Sequence, residues 1–170
     1  MTMPTQITAH FTLGELERAS TAPLNSADIA KGTELIERIL EPARTQFGWP
    51  IAISSFKRAN DTGAHGAAEA IDFHPCCDDP ALARGRMDVL FNWLRAHKRA
   101  EFGELGHERT HLHVTRRGYR GEIGETWTEP REGTYVIVDP QMPSAGDVAK
   151  GISAVALLGA ALGIALASRG

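Results

Sequence analysis

Four of the seven histidines, His65, His74, His111 and His113, fall in or beside segments that read as strands or loops and not on a helix face. His65 precedes Asp72 in the stretch HGAAEAID, and His111-Leu112-His113 puts two imidazoles on the same side of one strand, because strand side chains alternate faces. Neutral imidazole and carboxylate suit Zn2+, and three protein ligands plus a water form the open site that metal hydrolases use. Zinc lowers the pKa of its water towards ~7, so hydroxide becomes available at neutral pH and a peptide or amide bond is a natural target. A lone histidine is more often a surface or satisfied core residue. Asp72 is different: it is flanked by Ile71 and Phe73 in an apolar strand, where a buried carboxylate is costly without a metal or an ion-pair partner. The spacing leaves open which imidazole of the HLH pair joins His65 and Asp72.

Those residues must be carried by elements that the pattern also predicts. Thr12 and Glu15 form a capping box opening a short helix over residues 13–19. Ile29, Leu35, Ile36, Ile39, Leu40, Ala43 and Phe47 recur at helical spacing, which predicts a helix over 27–47 kinked at Pro42. Strands are expected at 51–54 and 70–73. Asp79 followed by Pro80 caps a further helix that places Leu82, Met87, Leu90, Phe91 and Leu94 on one face and ends near His97. Beyond it, 102–105 and 111–115 read as strands separated by a turn at Gly106, and 121–135 offers a hairpin into a strand at 135–138. Helices first and closely spaced strands later favour an α+β fold, an antiparallel sheet with flanking helices, since such strands need no crossover helix.

The 170 residues fit one domain with an appendage. A net charge of −3, from 18 basic and 21 acidic side chains, argues against a nucleic-acid partner. Adjacent Cys76 and Cys77 cannot build a disulfide framework, and with His74 they lack the second pair that a zinc knuckle needs, so they read as a loop. His10, His97 and His107 read as solvated or structural, and Arg116-Arg117 as a solvated face. The N-terminus lacks the basic-then-apolar order of a signal peptide. Residues 151–168, GISAVALLGAALGIALAS between Lys150 and Arg169, form an uncharged run of ~27 Å if helical, just long enough to cross a bilayer or to pack in an assembly. The expected division is a domain over 1–139, a linker over 140–150 and a hydrophobic helix over 151–168.

From His10 to Thr115 the chain resembles the LAS zinc peptidases through the H-x6-D pattern of His65 and Asp72 and the H-x-H of His111-Leu112-His113. HFTLGELERASTA, ISSFKR, HGAAEAIDF and HLHVT are more closely similar to the family of D-Ala-D-Ala carboxypeptidases and L-alanyl-D-glutamate endopeptidases, including its phage-borne members. The resemblance implies zinc held by His65, Asp72 and His113, and a hedgehog/D-Ala-D-Ala metallopeptidase-like fold. It also implies that Arg58, in SSFKR, corresponds to the arginine of an S-G-Y-R motif that clamps a substrate carboxylate, in keeping with the bidentate fit of guanidinium to carboxylate. The general base is implied to be Glu108 or His111. In members with a glutamate three residues before a ligand histidine, Glu108 takes that place and His111 replaces His113 as ligand; in others the first histidine of H-x-H does the proton transfer. Gly63 and Ala68 stand where the family usually has Ser and Gly.

The expected function is a zinc-dependent peptidoglycan peptidase acting on stem-peptide or cross-link bonds. By analogy it sits in a phage virion or faces the bacterial membrane or periplasm, with the C-terminal helix contacting membrane or virion proteins. The alternatives are a non-catalytic structural or wall-binding phage component that keeps the peptidase fold, and a soluble amidase or carboxypeptidase acting on another small peptide.

Overall fold

The structure, a computed structural model, describes residues 5–132 and 134–139. Thr12 caps helix α1, Leu13–Arg18, through the capping box with Glu15. Asn25 caps α2, Ser26–Leu35, by accepting from the Asp28 N–H at 2.9 Å. The kink expected at Pro42 takes the form of a π turn, Ile36–Leu40, joining α2 to α3, Glu41–Phe47. Pro42 has no N–H to give, and its ring crowds the preceding turn; there the Glu41 N–H reaches back to the Ile36 carbonyl. The wider turn still buries Ile36, Ile39 and Leu40. Asp79 caps α4, Pro80–His97, from Oδ1 to the N–H groups of Ala81 and Leu82.

The strands are β1 (Ile51–Ser55), β2 (Ala70–Pro75), β3 (Phe102–His107), β4 (Leu112–Arg116), β5 (Glu125–Arg131) and β6 (Thr134–Asp139). They form one sheet in the order β1-β2-β4-β3-β5-β6. The fold is α+β, but the sheet is mixed and not antiparallel throughout: β3 and β5 run parallel, with Gly106 opposite Trp127. The reason is the route of residues 117–124. They pass around the start of β3, with Gly118, Gly121 and Gly124 at positive φ, and span two strand spacings of ~4.8 Å without a crossover helix. Two further expectations are corrected. Gly106 lies inside β3, and the chain turns at Glu108–His111 instead, closed by Glu108 N–H to His111 O at 3.0 Å. His74 sits on β2, not in a loop.

Alternation divides the sheet's labour. Ile71 and Phe73 of β2 and Leu112 and Val114 of β4 face the helices, where they join Leu35, Ile39, Leu40, Leu90 and Leu94 in the buried core. Asp72 and His113, paired across β2 and β4, face the other way. Arg116 is no solvated charge. It lies between Glu34 and Glu69 at 2.8 Å each, while Lys31 reaches Glu69 at 2.8 Å, so α2, the loop before β2 and the end of β4 are tied together. Among the described residues no helix is long and apolar enough to cross a membrane. The linker at 140–150 and the apolar helix at 151–168 lie outside the described residues.

His65 is delivered by the loop between β1 and β2, and that loop closes tightly on itself. A Cβ on Gly66 would stand 1.7 Å from the Asp61 carbonyl oxygen, which is backbone and cannot step aside. Gly66→Ala should therefore lower stability by about 1–3 kcal/mol in urea unfolding and weaken divalent-metal binding. Gly85→Ala on α4, where nothing lies within 4 Å, should do neither.

Candidate metal centre

Three donor atoms meet on the open side of the sheet. His65 Nε2 lies 3.0 Å from Asp72 Oδ1, His113 Nδ1 lies 2.8 Å from the same oxygen, and the two imidazole nitrogens are 3.3 Å apart. Zinc–ligand bonds of ~2.0–2.1 Å in tetrahedral geometry require donors ~3.3 Å apart, so these atoms need open by only a few tenths of an ångström to admit an ion. This cluster could hold a metal. His65, Asp72 and His113 are 5%, 2% and 8% exposed, so the carboxylate cannot be satisfied by bulk water and depends on these partners.

The surrounding groups orient the donors. His65 Nδ1 donates to the Phe56 carbonyl at 2.6 Å, an oxygen that can only accept, which leaves Nε2 for the site. On the far side of His113, Nε2 lies 3.4 Å from Glu104 Oε1. A bulge in β1 between Ile53 and Ser55 sets Ser55 opposite Asp72. Ser55 Oγ then accepts from Arg58 Nε at 2.8 Å, and Arg58 Nη2 hydrogen-bonds Asp72 Oδ2. Arg58 thus stands at the rim of the cluster, half-exposed, with donors left to face outward.

The turn at Glu108–His111 brings the two proton-transfer candidates together. His111 Nε2 is 3.1 Å from Glu108 Oε2 and 3.6 Å from Asp72 Oδ2, while His111 Nδ1 contacts Thr110 Oγ1 at 3.0 Å. His113 is the imidazole that closes the three-donor group, and His111 stands beside it paired with Glu108. The Glu108 hydrogen bond raises the His111 pKa, against burial and with help from the charges of Asp72 and Glu108. Burial works against both charged partners in the centre, but hydrogen bonds prevail. The two imidazoles hold the Asp72 carboxyl well below the usual carboxylate range, and Asp72 and Glu104 push His113 up to about 9.

Several neighbours carry little sequence signal. His74 shares Asp72's face because it lies two residues further along β2, and its pKa is lowered by burial and by the charge of His111. Strand alternation could have found it. Glu104 and Trp127 come from strands whose pairing the local pattern does not encode; the Trp127 ring centroid lies 6.0 Å from that of His113. A cavity of about 940 Å3 opens on the opposite side of the sheet, between α4 and the β5–β6 hairpin, lined among others by Phe91, His107 and Val138. None of the clustered donors borders it, so volume and chemistry point to different faces, and the chemistry decides.

No family model, curated protein or solved structure matches this chain. Function has to be read from the side chains themselves.

The His113 proton must leave before Nδ1 can bind a cation. Metal binding to the metal-free protein should release about one proton near neutral pH and tighten by about tenfold per pH unit between pH ~6 and ~8, as read by calorimetry in buffers of different ionisation enthalpy. Linkage also sets the stability of the metal-free fold. The His113 contribution is complete below its ordinary value of 6.5 and is lost as pH rises through about 9, while that of Asp72 is complete above 3.8 and is lost as pH falls. Metal-free protein should accordingly melt highest between these two ordinary values.

Proposed function

We propose that this chain is a zinc-dependent peptidase of bacterial cell-wall peptides, with His65, Asp72 and His113 as metal ligands. The observation that carries the reading is the convergence of His65 Nε2, Asp72 Oδ1 and His113 Nδ1 beside a Glu108–His111 pair and an arginine. A structural ion pair needs none of these extras, whereas hydrolysis of an amide uses a proton-transfer group beside the ion and gains from a cation that positions the substrate. The mixed sheet, with helices on one face and the donors on the other, supports the finer assignment to a hedgehog/D-Ala-D-Ala metallopeptidase-like fold. Murein as substrate rests on the motif resemblance around His65, Asp72 and His113.

When bound, the ion would polarise the scissile carbonyl and acidify a water in the open position. Glu108 and His111 share a proton over 3.1 Å, so the pair can accept one from the attacking water and return it to the leaving amine. Arg58 directs its outward donors to a substrate carboxylate while Ser55 and Asp72 fix its plane. Phe56 and Glu104, through His65 and His113, keep the ligand rings from turning.

A place in a phage particle or at a bacterial membrane, through residues 151–168, belongs to the same proposal and rests on the composition of that segment.

Purified protein should contain close to one zinc per chain and should release peptides from murein. His65→Ala and His113→Ala should lose both the metal and the activity. His111→Ala and Glu108→Gln should keep the metal and lose about 10²- to 10⁴-fold in kcat. Metal retained by His113→Ala but lost by His111→Ala would reverse the ligand assignment. Zinc-free wild type without murein cleavage would reject the reading, and murein binding that persists in such protein would support the wall-binding alternative.

A further inference from the structure

Strands β5 and β6 prolong the sheet past β3, and they bring an aromatic pair up to the edge of the metal centre. Trp127 stands opposite Gly106 across the parallel β3–β5 pair, and Gly106 in turn stands opposite His113 across β3–β4. The absence of a side chain at 106 makes this possible: a Cβ there would fall 2.2 Å from Trp127 Cζ2. The indole therefore lies down on the sheet beside His113, on the donor side. Tyr135 of β6 packs against it with ring centroids 5.0 Å apart and planes at 85°, and Tyr135 is 61% exposed. The hydrophobic core has no claim on this pair, because the core lies on the other face.

Charge decides what the pair suits. Desolvation raises the Tyr135 phenol pKa, and the charges of Glu129 and Glu108 add to the rise, so their negative charge reaches the ring. Glu104 and Glu125 stand opposite each other on β3 and β5, and Glu122 is raised by burial and by their charges. Of the basic groups at the hairpin tip, Arg109 is offset by Glu132 at 3.6 Å, and Arg131, opposite Thr134 at the end of β5, lines the cavity on the helix side of the sheet. Arg58 sits on the other side of the cluster, in the loop after β1. The cleft is thus polarised, basic towards β1 and acidic and aromatic towards β6. An aromatic face attracts a cation through its ring quadrupole, and surrounding carboxylates strengthen that attraction while repelling anions.

We propose that Trp127 and Tyr135 form a subsite for the side-chain ammonium of a diamino acid in the peptide substrate, opposite in polarity to the Arg58 end. The subsite rests on the peptidase reading for its place in a reaction but not for its binding. A substrate held with its carboxylate at Arg58 and its ammonium at Tyr135 can lie across the metal centre in only one direction, so the pair would fix both residue preference and orientation.

The test uses the full chain and two probes: a stem pentapeptide with lysine in third position, and the same peptide with its ε-amine acetylated. By calorimetry, with and without zinc, wild type should bind the free-amine peptide about tenfold tighter than the acetylated one. Tyr135→Ala, at an exposed position where folding is readily checked by circular dichroism, should bring that ratio close to one. Tyr135→Phe should preserve the ratio, because the ring and not the hydroxyl holds the cation. Equal affinities in wild type, or an undiminished ratio in Tyr135→Ala, would overturn the proposal. So would a Tyr135-dependent affinity for an N-acetylhexosamine disaccharide with no amine preference, which would mark sugar stacking instead. A preference for the amine without any cleavage supports the subsite while counting against the peptidase; cleavage without a preference does the reverse.

Discussion

A carboxylate buried in the middle of a sheet organises this molecule. Asp72 is 2% exposed, on a strand whose neighbouring side chains, Ile71 and Phe73, are core residues. A lone charge there would be prohibitively costly, and its cost is offset only by partners on every side. Oδ1 takes His65 and His113; Oδ2 takes Arg58 and faces His111. Those four come from the β1–β2 loop, β4 and the β3–β4 turn, so satisfying one oxygen pair requires the register of β2 on β4, the bulge in β1 and the closed loop before β2 all to be correct together. A polar network this demanding specifies one arrangement out of many compact ones.

Stability and chemistry are assigned to opposite faces of the same strands. The helix face carries the apolar burial that drives folding, and the π turn before Pro42 keeps Ile36, Ile39 and Leu40 directed into it. The donor face carries charges and ring nitrogens. Between them runs the Lys31, Glu34, Glu69 and Arg116 network, which fastens the end of the His65 loop to α2 and β4. Exposed ion pairs add little stability by themselves, but a half-buried arginine between two carboxylates resists being pulled apart and so holds the loop in position. The loop also tolerates Ala68 at φ 55, the residue that stands where the resembled family usually has glycine, so the left-handed turn is kept at some local strain.

The polarity of the cleft follows from the sheet order and not from any single residue. Because β5 and β6 lie beyond β3, the acidic residues of β3 and β5 and the aromatic pair fall on one flank of the metal centre, and Arg58 on the other. A chain that continued with β5 against β4 would have placed the same residues elsewhere. The functional proposals therefore rest on topology as much as on the donor set.

Much of this was written locally in the chain. The Thr12 and Asp79 caps, the helical spacing of Leu35 to Phe47, the strand at Ala70 and the candidacy of Asp72 and its histidines all follow from short-range rules: caps satisfy helix ends, and period 3.6 or 2 puts like residues on one face. His74 was within reach of the same rule, since it shares Asp72's alternation. What the tertiary structure alone decided are the long-range pairings. His111 and His113 are equivalent by alternation; they are separated by where the chain turns, at Glu108–His111 and not at Gly106, which leaves His113 in β4 opposite Asp72. The parallel β3–β5 pair, the bond from Arg58 to Asp72, the half-buried role of Arg116 and the seat of Trp127 on Gly106 likewise join residues far apart in sequence. A local pattern states which face a side chain prefers, but the partner it meets there is set by packing and register across the whole sheet.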